Sequence, residues 1–346
     1  MSKIAILGGG SWGTGLAVVL AHSRHVHEVS LWVRAAGMAE TISSTRENKA
    51  YLPGVEIPTR VFPSAVLATV LEHAHIVIGA VPSVHTREVF TRALPHISSN
   101  SIIVSATKGL EPATHLRISQ VIEQVCSERF VPELAVLSGP SFALEAARGE
   151  PTAVVIAAQT VVHAFEGVHR SVSRTAEYLQ EQFAGPTFRL YTNDDVLGVE
   201  LCGAMKNVMA IAAGACQGLG LGANSLAALI TRGLAEMARL AVKLGAKQET
   251  ISGLAGLGDL VLTCNGALSR NRHVGYELGQ GQSLGAILAS MSSVAEGVGT
   301  TSALLALAKE HRIDLPITEQ VNAILNEWKS PREAIRDIME RRLKAE

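Results

Sequence analysis

Lys206 is the single charged side chain in LCGAMKNVMAIAAGACQGLG, the stretch from Leu201 to Gly220. Its neighbours are alanines, glycines and a few larger apolar residues, among which a bare ammonium is costly to desolvate. Gly203, Ala210 and Ala213 stand at i−3, i+4 and i+7, on the lysine's own helical face, and residues so small admit another backbone or a ligand. Such a lysine either lays its stem on apolar surface and sends its head to water, or lines a cleft. In a cleft its ammonium would give a proton to a substrate carbonyl as hydride arrives and take one back in reverse. Desolvation would then lower its pKa toward the working range.

Further chemistry-bearing groups are scattered along the chain. GLAGLGDLVLTC holds one carboxylate, Asp259, in a glycine-rich apolar turn, as a helix-terminus cap or a site residue. LSRNRHVG sets Ser269, Arg270, Asn271 and Arg272 side by side. Arginine with asparagine suits a phosphate through bidentate and amide hydrogen bonds; the alternative is a polar surface loop. SATKGLE carries Lys108 just past a strand end, where it is a solvated charge or a cleft group. LSGPSFALE carries Gly139, Pro140 and Ser141 at an expected helix start, proline being favoured in the first turn. Glu296, in SVAEGVGT, stands at another expected start, where simple capping is the alternative.

The segment ILGGGSWGTGLAVVLA contains Gly8-x-Gly10-x-x-Gly13, directly after a strand-like run and opening a helix-like one. In that context the pattern reads as a dinucleotide cradle. Gly8 permits the tight turn, Gly10 lets a pyrophosphate approach the backbone, and Gly13 lets helix and strand pack closely. Backbone N–H groups around Ser11 and Trp12 would face the phosphates. Arg34 stands at the end of SLWVR, where NAD-selective proteins place an acid for the ribose diol. An arginine there pairs with a 2′-phosphate or stacks on adenine, which points to NADP(H); the alternative is a surface arginine beside an NAD(H) site.

The elements that must position these groups are of two kinds. KIAIL (3–7), VSLWV (29–33), HIVIGAV (75–81), SIIVSA (101–106), LAVLS (134–138) and TAVVIAA (152–158) are near-continuously apolar, as strands buried on both faces of a parallel sheet are. Helix-like runs such as 64–74 and 116–130 alternate with them, implying βαβ units. The expected fold is α/β: an N-terminal Rossmann-type doubly wound sheet, residues 1–188, and an all-helical C-terminal domain, residues 189–346, around a shared cleft. After FRLYTNDD, Ala, Leu, Gly and Met take over at helical spacing, with Asn193 or Asp194 as the expected N-cap of a long helix and Glu200 in its first turns.

A chain of 346 residues with 47% hydrophobic residues fits two domains with sizeable cores. A net charge of −1 argues against a nucleic-acid partner, which would favour a basic patch. The C-terminal REAIRDIMERRLK reads as an exposed helix face laced with acids. No stretch of about 18 uninterrupted strongly apolar residues suggests a membrane span; the best window, Val208 to Ile230, is broken by Gln217, Asn224 and glycines. Cys126, Cys202, Cys216 and Cys264 show no CxxC spacing, so reduced thiols in a cytoplasm are expected. His22, His25 and His27 lack supporting ligands, and no metal site is expected.

Together the motifs resemble the NAD(P)-dependent sn-glycerol-3-phosphate dehydrogenases of bacterial type, across nearly the whole chain. GGGSWGTGLA resembles the cofactor loop; SATKGLE and SGPSFALEAARGEPTAVVIA resemble the middle motifs. GAMKNVMAIAAGACQGLGLGAN is similar to the signature segment, and LAGLGDLVLTC, SRNR and VAEG complete the set. Two positions depart: Ala215 where a larger apolar residue is usual, and Gln217 where an acid is usual. The resemblance implies that Lys206 is the proton donor or acceptor, and that Lys108, Gly139, Ser141, Lys206, Asp259, Ser269, Arg270 and Asn271 hold the triose phosphate. It implies NADP(H) or NAD(H) on Ser11, Trp12, Arg34, Tyr51, Lys108, Ala143, Arg270, Val294 and Glu296. It further implies reversible reduction of dihydroxyacetone phosphate to sn-glycerol 3-phosphate for phospholipid synthesis, a 6-phosphogluconate-dehydrogenase-like fold and a homodimer. The rivals are a β-hydroxyacid or 6-phosphogluconate-type dehydrogenase, and a regulatory protein that senses NADPH without turnover.

Overall fold

In the computed structural model, residues 2–159, 162–165, 168–172, 174–291 and 294–342 are described. The strands are β1 (Ser2–Leu7), β2 (His27–Trp32), β3 (Val61–Ser64), β4 (Ile76–Gly79), β5 (Ile102–Ser105), β6 (Glu133–Ser138), β7 (Thr152–Ala158), β8 (Val162–Phe165), β9 (Val168–Val172) and β10 (Phe188–Asn193). Eight of them form one sheet in the order β10-β7-β6-β5-β4-β1-β2-β3; β8 and β9 pair antiparallel as a separate ribbon. Every pairing in the large sheet is parallel except β6 with β7. The strand order reverses at β1, which lies between β2 and β4, and ligands of doubly wound sheets bind at such a point.

The apolar runs become strands because both faces of the sheet are covered. Ile4 and Ile6 enter one core cluster with Val29, Leu31 and Ile78, while Ala5 and Leu7 enter the other with Val77 and Ile103. All four β1 residues from Ile4 to Leu7 are fully buried, and each large one contributes about 1.5–3 kcal/mol.

All six expected strands are present, but the sheet adds β3 and β10, and these are its two edges. An edge strand has no obligation to be continuously apolar. In β10, Phe188 and Leu190 are buried while Arg189 and Tyr191 are exposed, and β3 contains Pro63, which an edge tolerates. The expected helix at 64–74 contracts to Leu67–Leu71 because Ser64 ends β3, and that at 116–130 to Ile118–Cys126.

The chain divides into two compact units, 1–108 with 116–200, and 109–115 with 201–346. The boundary expected at 188 falls inside the first, since β10 pairs with β7 along its whole length. The long helix runs Val196–Gly218 and is capped by Asp195, not by Asn193 or Asp194: Asp195 Oδ1 accepts from Gly198 N at 2.8 Å, and Asn193 Oδ1 accepts from Asp195 N at 2.7 Å. Glu200 anchors its first turns within the sheet unit, accepting from Arg117 Nη1 at 2.6 Å and Ser119 N at 2.8 Å. By length and composition this helix could cross a membrane, yet 89% of its apolar window is buried in protein.

The second unit is helical. The Val196–Gly218 and Arg270–Gly279 helices meet backbone to backbone through glycines on both sides. A Cβ on Gly214 would lie 1.9 Å from Arg272 O, and one on Gly275 1.9 Å from Ile211 O. Ala215 belongs to this crossing through its backbone, its carbonyl 2.6 Å from where a Gly279 Cβ would stand. Gln217 accepts from Arg272 Nε at 2.6 Å, the hydrogen bond an acid would also make. The acid-laced helix near the C-terminus runs Pro331–Met339 behind a Ser330–Glu333 capping box; Leu343 and Lys344 of that motif lie outside the described residues.

Candidate active site

Gly8 sits past the end of β1 with φ +125°, a conformation L side chains rarely adopt. A Cβ on Gly13 would stand 1.8 Å from Gly8 O, so the helix Ser11–Ala21 packs directly on the turn. Gly10 caps that helix in extended conformation with no side-chain cap, and nothing lies within 4 Å of where its Cβ would be. The first turn therefore leaves the N–H groups of Ser11, Trp12 and Gly13 without intrahelical acceptors. Trp12 Nε1 is buried with no hydrogen-bond partner among the described residues. Open room at Gly10, an uncapped helix start and an unsatisfied donor all fit the pyrophosphate of a dinucleotide.

The other expected cofactor contacts of this unit are dispersed around the cradle. Arg34 is exposed two residues past β2. Tyr51 is half-buried, and its carbonyl accepts from Ser11 Oγ at 2.6 Å. Ala143 begins the short helix Ala143–Ala147 and faces Gly15, whose absent Cβ would lie 3.0 Å from Ala143 O. The helix thus starts after Phe142, and Pro140 lies ahead of it, not in its first turn as expected.

Lys108, Gly139 and Ser141 come together. Lys108 Nζ donates to Gly139 O at 2.7 Å and to Ser141 Oγ at 3.3 Å. Gly139 takes φ +127° against Val154, where a side chain would be strained.

In the helical unit, Lys206 is 6% exposed and Asp259 fully buried. Lys206 Nζ donates to Asp259 Oδ1 at 2.5 Å and to Thr263 Oγ1 at 2.9 Å. The ammonium does not escape to water; it is built into a charge-assisted cluster. Asp259 opens the helix Asp259–Asn265 after a π-helical turn, Leu254–Gly258, in which a Cβ on Gly256 would strike Ile251 O at 2.0 Å. Thr263 lies one helical turn beyond Asp259 and was not singled out from the sequence, although its i+4 spacing from the acid is the signal that marks it.

Ser269 is buried and caps the Arg270–Gly279 helix, its Oγ accepting from Arg272 N at 3.2 Å. Asn271 Oδ1 accepts from Gly297 N at 2.9 Å and so ties the start of the Glu296–His311 helix to the SRNR segment. Desolvation by burial draws the Arg270 guanidinium below its ordinary pKa, while the Glu296 carboxylate raises it. It stays a cation at any physiological pH. Val294 is exposed, two residues ahead of Glu296 in the chain. Each unit therefore gathers its own share of the expected residues. A cavity of about 700 Å³ in the helical unit, walled by Leu229, Ile317, Val321 and Ile335, is lined by none of them. His27, set aside as a ligand, places Nε2 2.8 Å from Gln182 O, and burial lowers its pKa.

Residues 3–164 match the N-terminal domain, and residues 195–336 the C-terminal domain, of NAD-dependent glycerol-3-phosphate dehydrogenase. The NAD(P)+ glycerol-3-phosphate dehydrogenase of Koribacter versatilis is 51% identical over 342 residues, 99% of this chain and 98% of the relative. That of Acidobacterium capsulatum is 49% identical over 346 residues, again 99% and 98%. The crystal structure of glycerol-3-phosphate dehydrogenase from Coxiella burnetii superposes with a TM-score of 0.89 at 41% identity, covering 98% of this chain and 99% of that one.

Proposed function

The chain belongs to the NAD-dependent glycerol-3-phosphate dehydrogenase family, and from that membership we propose that Lys206 is the acid and base of its reaction. The activity is the reversible NAD(P)H-dependent reduction of dihydroxyacetone phosphate to sn-glycerol 3-phosphate, an oxidoreductase reaction at a CH–OH group that serves lipid metabolism. The relatives do not favour the β-hydroxyacid, 6-phosphogluconate-type or cofactor-sensing readings.

When bound, the nicotinamide supplies the hydride. As the carbonyl becomes an alcohol, negative charge grows on its oxygen, and a cation beside that oxygen stabilises the transition state more than the ground state. Lys206 is that cation. One Nζ–H bond breaks as the O–H bond forms; the amine left behind is reprotonated from water, and oxidation runs the same steps backwards. A positioned acid of this kind contributes about 10²–10⁴-fold. Asp259 and Thr263 fix the direction of Nζ, and the observation that carries the reading is their hydrogen bonding to a buried lysine. Arg270 and Asn271 hold the phosphate, remote from the reacting carbon, and Lys108, Gly139, Ser141 and Ser269 complete the substrate contacts. Gly8, Gly10, Ser11, Trp12, Gly13, Arg34, Tyr51, Lys108, Ala143, Arg270, Val294 and Glu296 hold the cofactor.

Arg34, exposed past β2, supports a preference for NADPH over NADH; Arg34→Ala should lower that preference by about 10-fold or more in kcat/KM. The thiols of Cys126, Cys216 and Cys264, buried and outside any disulfide, support a cytoplasmic setting, and the family resemblance supports a homodimer. The deciding assay follows NADPH absorbance with dihydroxyacetone phosphate. Lys206→Ala abolishes turnover and leaves NADPH affinity nearly intact; undiminished turnover removes the lysine from the mechanism.

A further inference from the structure

Asn48 lies far in sequence from the glycine turn, yet it is only 2% exposed and both hydrogens of its amide go there. Nδ2 donates to Gly9 O at 2.9 Å and to Thr14 Oγ1 at 2.8 Å, while Oδ1 accepts from Tyr51 N at 3.3 Å. Resting on the cofactor reading above, we propose that Asn48 is a positioning residue for the dinucleotide: it latches the Arg46–Ile57 loop onto the phosphate turn and fixes which way the Gly9–Gly10 peptide points.

The reason lies in the planar trans peptide, whose C=O and N–H point in opposite directions. Gly9 O and Gly10 N–H belong to one such unit. Holding the carbonyl on Asn48 therefore aims the Gly10 N–H away from Asn48, to the opposite edge of the peptide plane. Left unheld, a peptide flanked by two glycines turns over at little steric cost, and a turned peptide would set a carbonyl oxygen against a phosphate. Thr14 is fully buried, so the second hydrogen bond locks the amide to the helix that follows.

The loop that carries Asn48 is itself braced. Arg46 donates through Nε to Ile57 O at 3.0 Å and through Nη2 to Val61 O at 3.1 Å, and its carbonyl accepts from Ile57 N at 2.8 Å. Ser11 Oγ bonds Tyr51 O at 2.6 Å from the other side. Asn48 is therefore held before any cofactor arrives.

Asn48→Asp keeps the size but leaves no donor for Gly9 O, and adds a negative charge beside a phosphate site. NADPH affinity, read by fluorescence titration, should weaken about 10–100-fold, with the KM for NADPH rising in parallel. The kcat at saturating NADPH and the KM for dihydroxyacetone phosphate should stay within about 2-fold, since the Asn48 amide bonds Gly9, Thr14 and Tyr51. NADPH affinity within about 2-fold of wild type in a folded variant, or a fall in kcat with unchanged affinity, overturns the proposal. Should Asn48→Asp fail to fold, Thr14→Val removes one of the two acceptors at nearly constant shape and is expected to weaken NADPH about 3-fold or more; unchanged affinity there overturns it equally. The titration needs no turnover, so a wild type inactive on dihydroxyacetone phosphate would sink the substrate reading while the Asn48 result stood on its own.

Discussion

Removing Asp259 while keeping Lys206 should cost far more than removing both. At 2.5 Å the two charges attract by about 7 kcal/mol for an effective dielectric of about 20. Desolvating them costs several kcal/mol per ion, so the intact pair roughly breaks even against apolar side chains. Breaking it leaves one uncompensated charge where the lysine side chain is 8% exposed and the aspartate 0%. Asp259→Leu and Lys206→Met should each destabilise by about 3–5 kcal/mol, and the double variant should sit within about 2 kcal/mol of wild type. The coupling is then at least about 4 kcal/mol, well above what distant sites show. Urea titrations of all four proteins measure it, and thermal melts should show each single variant about 6–20 °C below wild type. Single costs that simply add in the double variant, or that stay below about 1 kcal/mol, would refute a desolvated ion pair. Both singles should also be inactive, so activity alone would not separate the cases; the stability cycle does.

Glu236 accepts from Ile317 N and Thr318 N at the start of the Pro316–Asn326 helix, and burial raises its pKa to about 7 from the ordinary 4.5. Raised in the fold, it contributes stability fully below pH 4.5 and loses it as pH climbs to 7, about 3 kcal/mol in all; the stability of Glu236→Gln minus that of wild type should grow by this amount across the window, and a difference independent of pH disproves it. Gly275→Ala forces a Cβ to 1.9 Å from Ile211 O and should lower stability by about 2 kcal/mol or more, a melt about 4–8 °C lower; an unchanged melting point would mean that the helices do not meet there. Burial pushes the Cys264 thiol up to about 12 and the Cys126 thiol to about 11. Both should resist iodoacetamide at pH 8 in the native protein and react in urea; mass spectrometry showing native modification of either contradicts that burial.

Much of this molecule follows from its sequence alone. Strands buried on both faces must be apolar throughout, so β1, β2, β4, β5, β6 and β7 could be read as runs, and the glycine turn between a strand and a helix could be read as a cradle. Lys206 stood out because a lone charge in an apolar helix needs a reason to be there. The two edge strands are hard to read in the sequence because one side of each meets solvent, so their residues alternate or include proline. The pairing of Lys206 with Asp259 was implied by the family resemblance, but tertiary structure alone decided the other partners. Thr263 reaches Lys206 across 57 residues, and Asn48 reaches Gly9 across 39. Periodicity records which face of an element is buried; it does not record which polar group across the fold a buried donor meets. That choice is made by packing, when a donor with no water left to bond must find its acceptor in the protein.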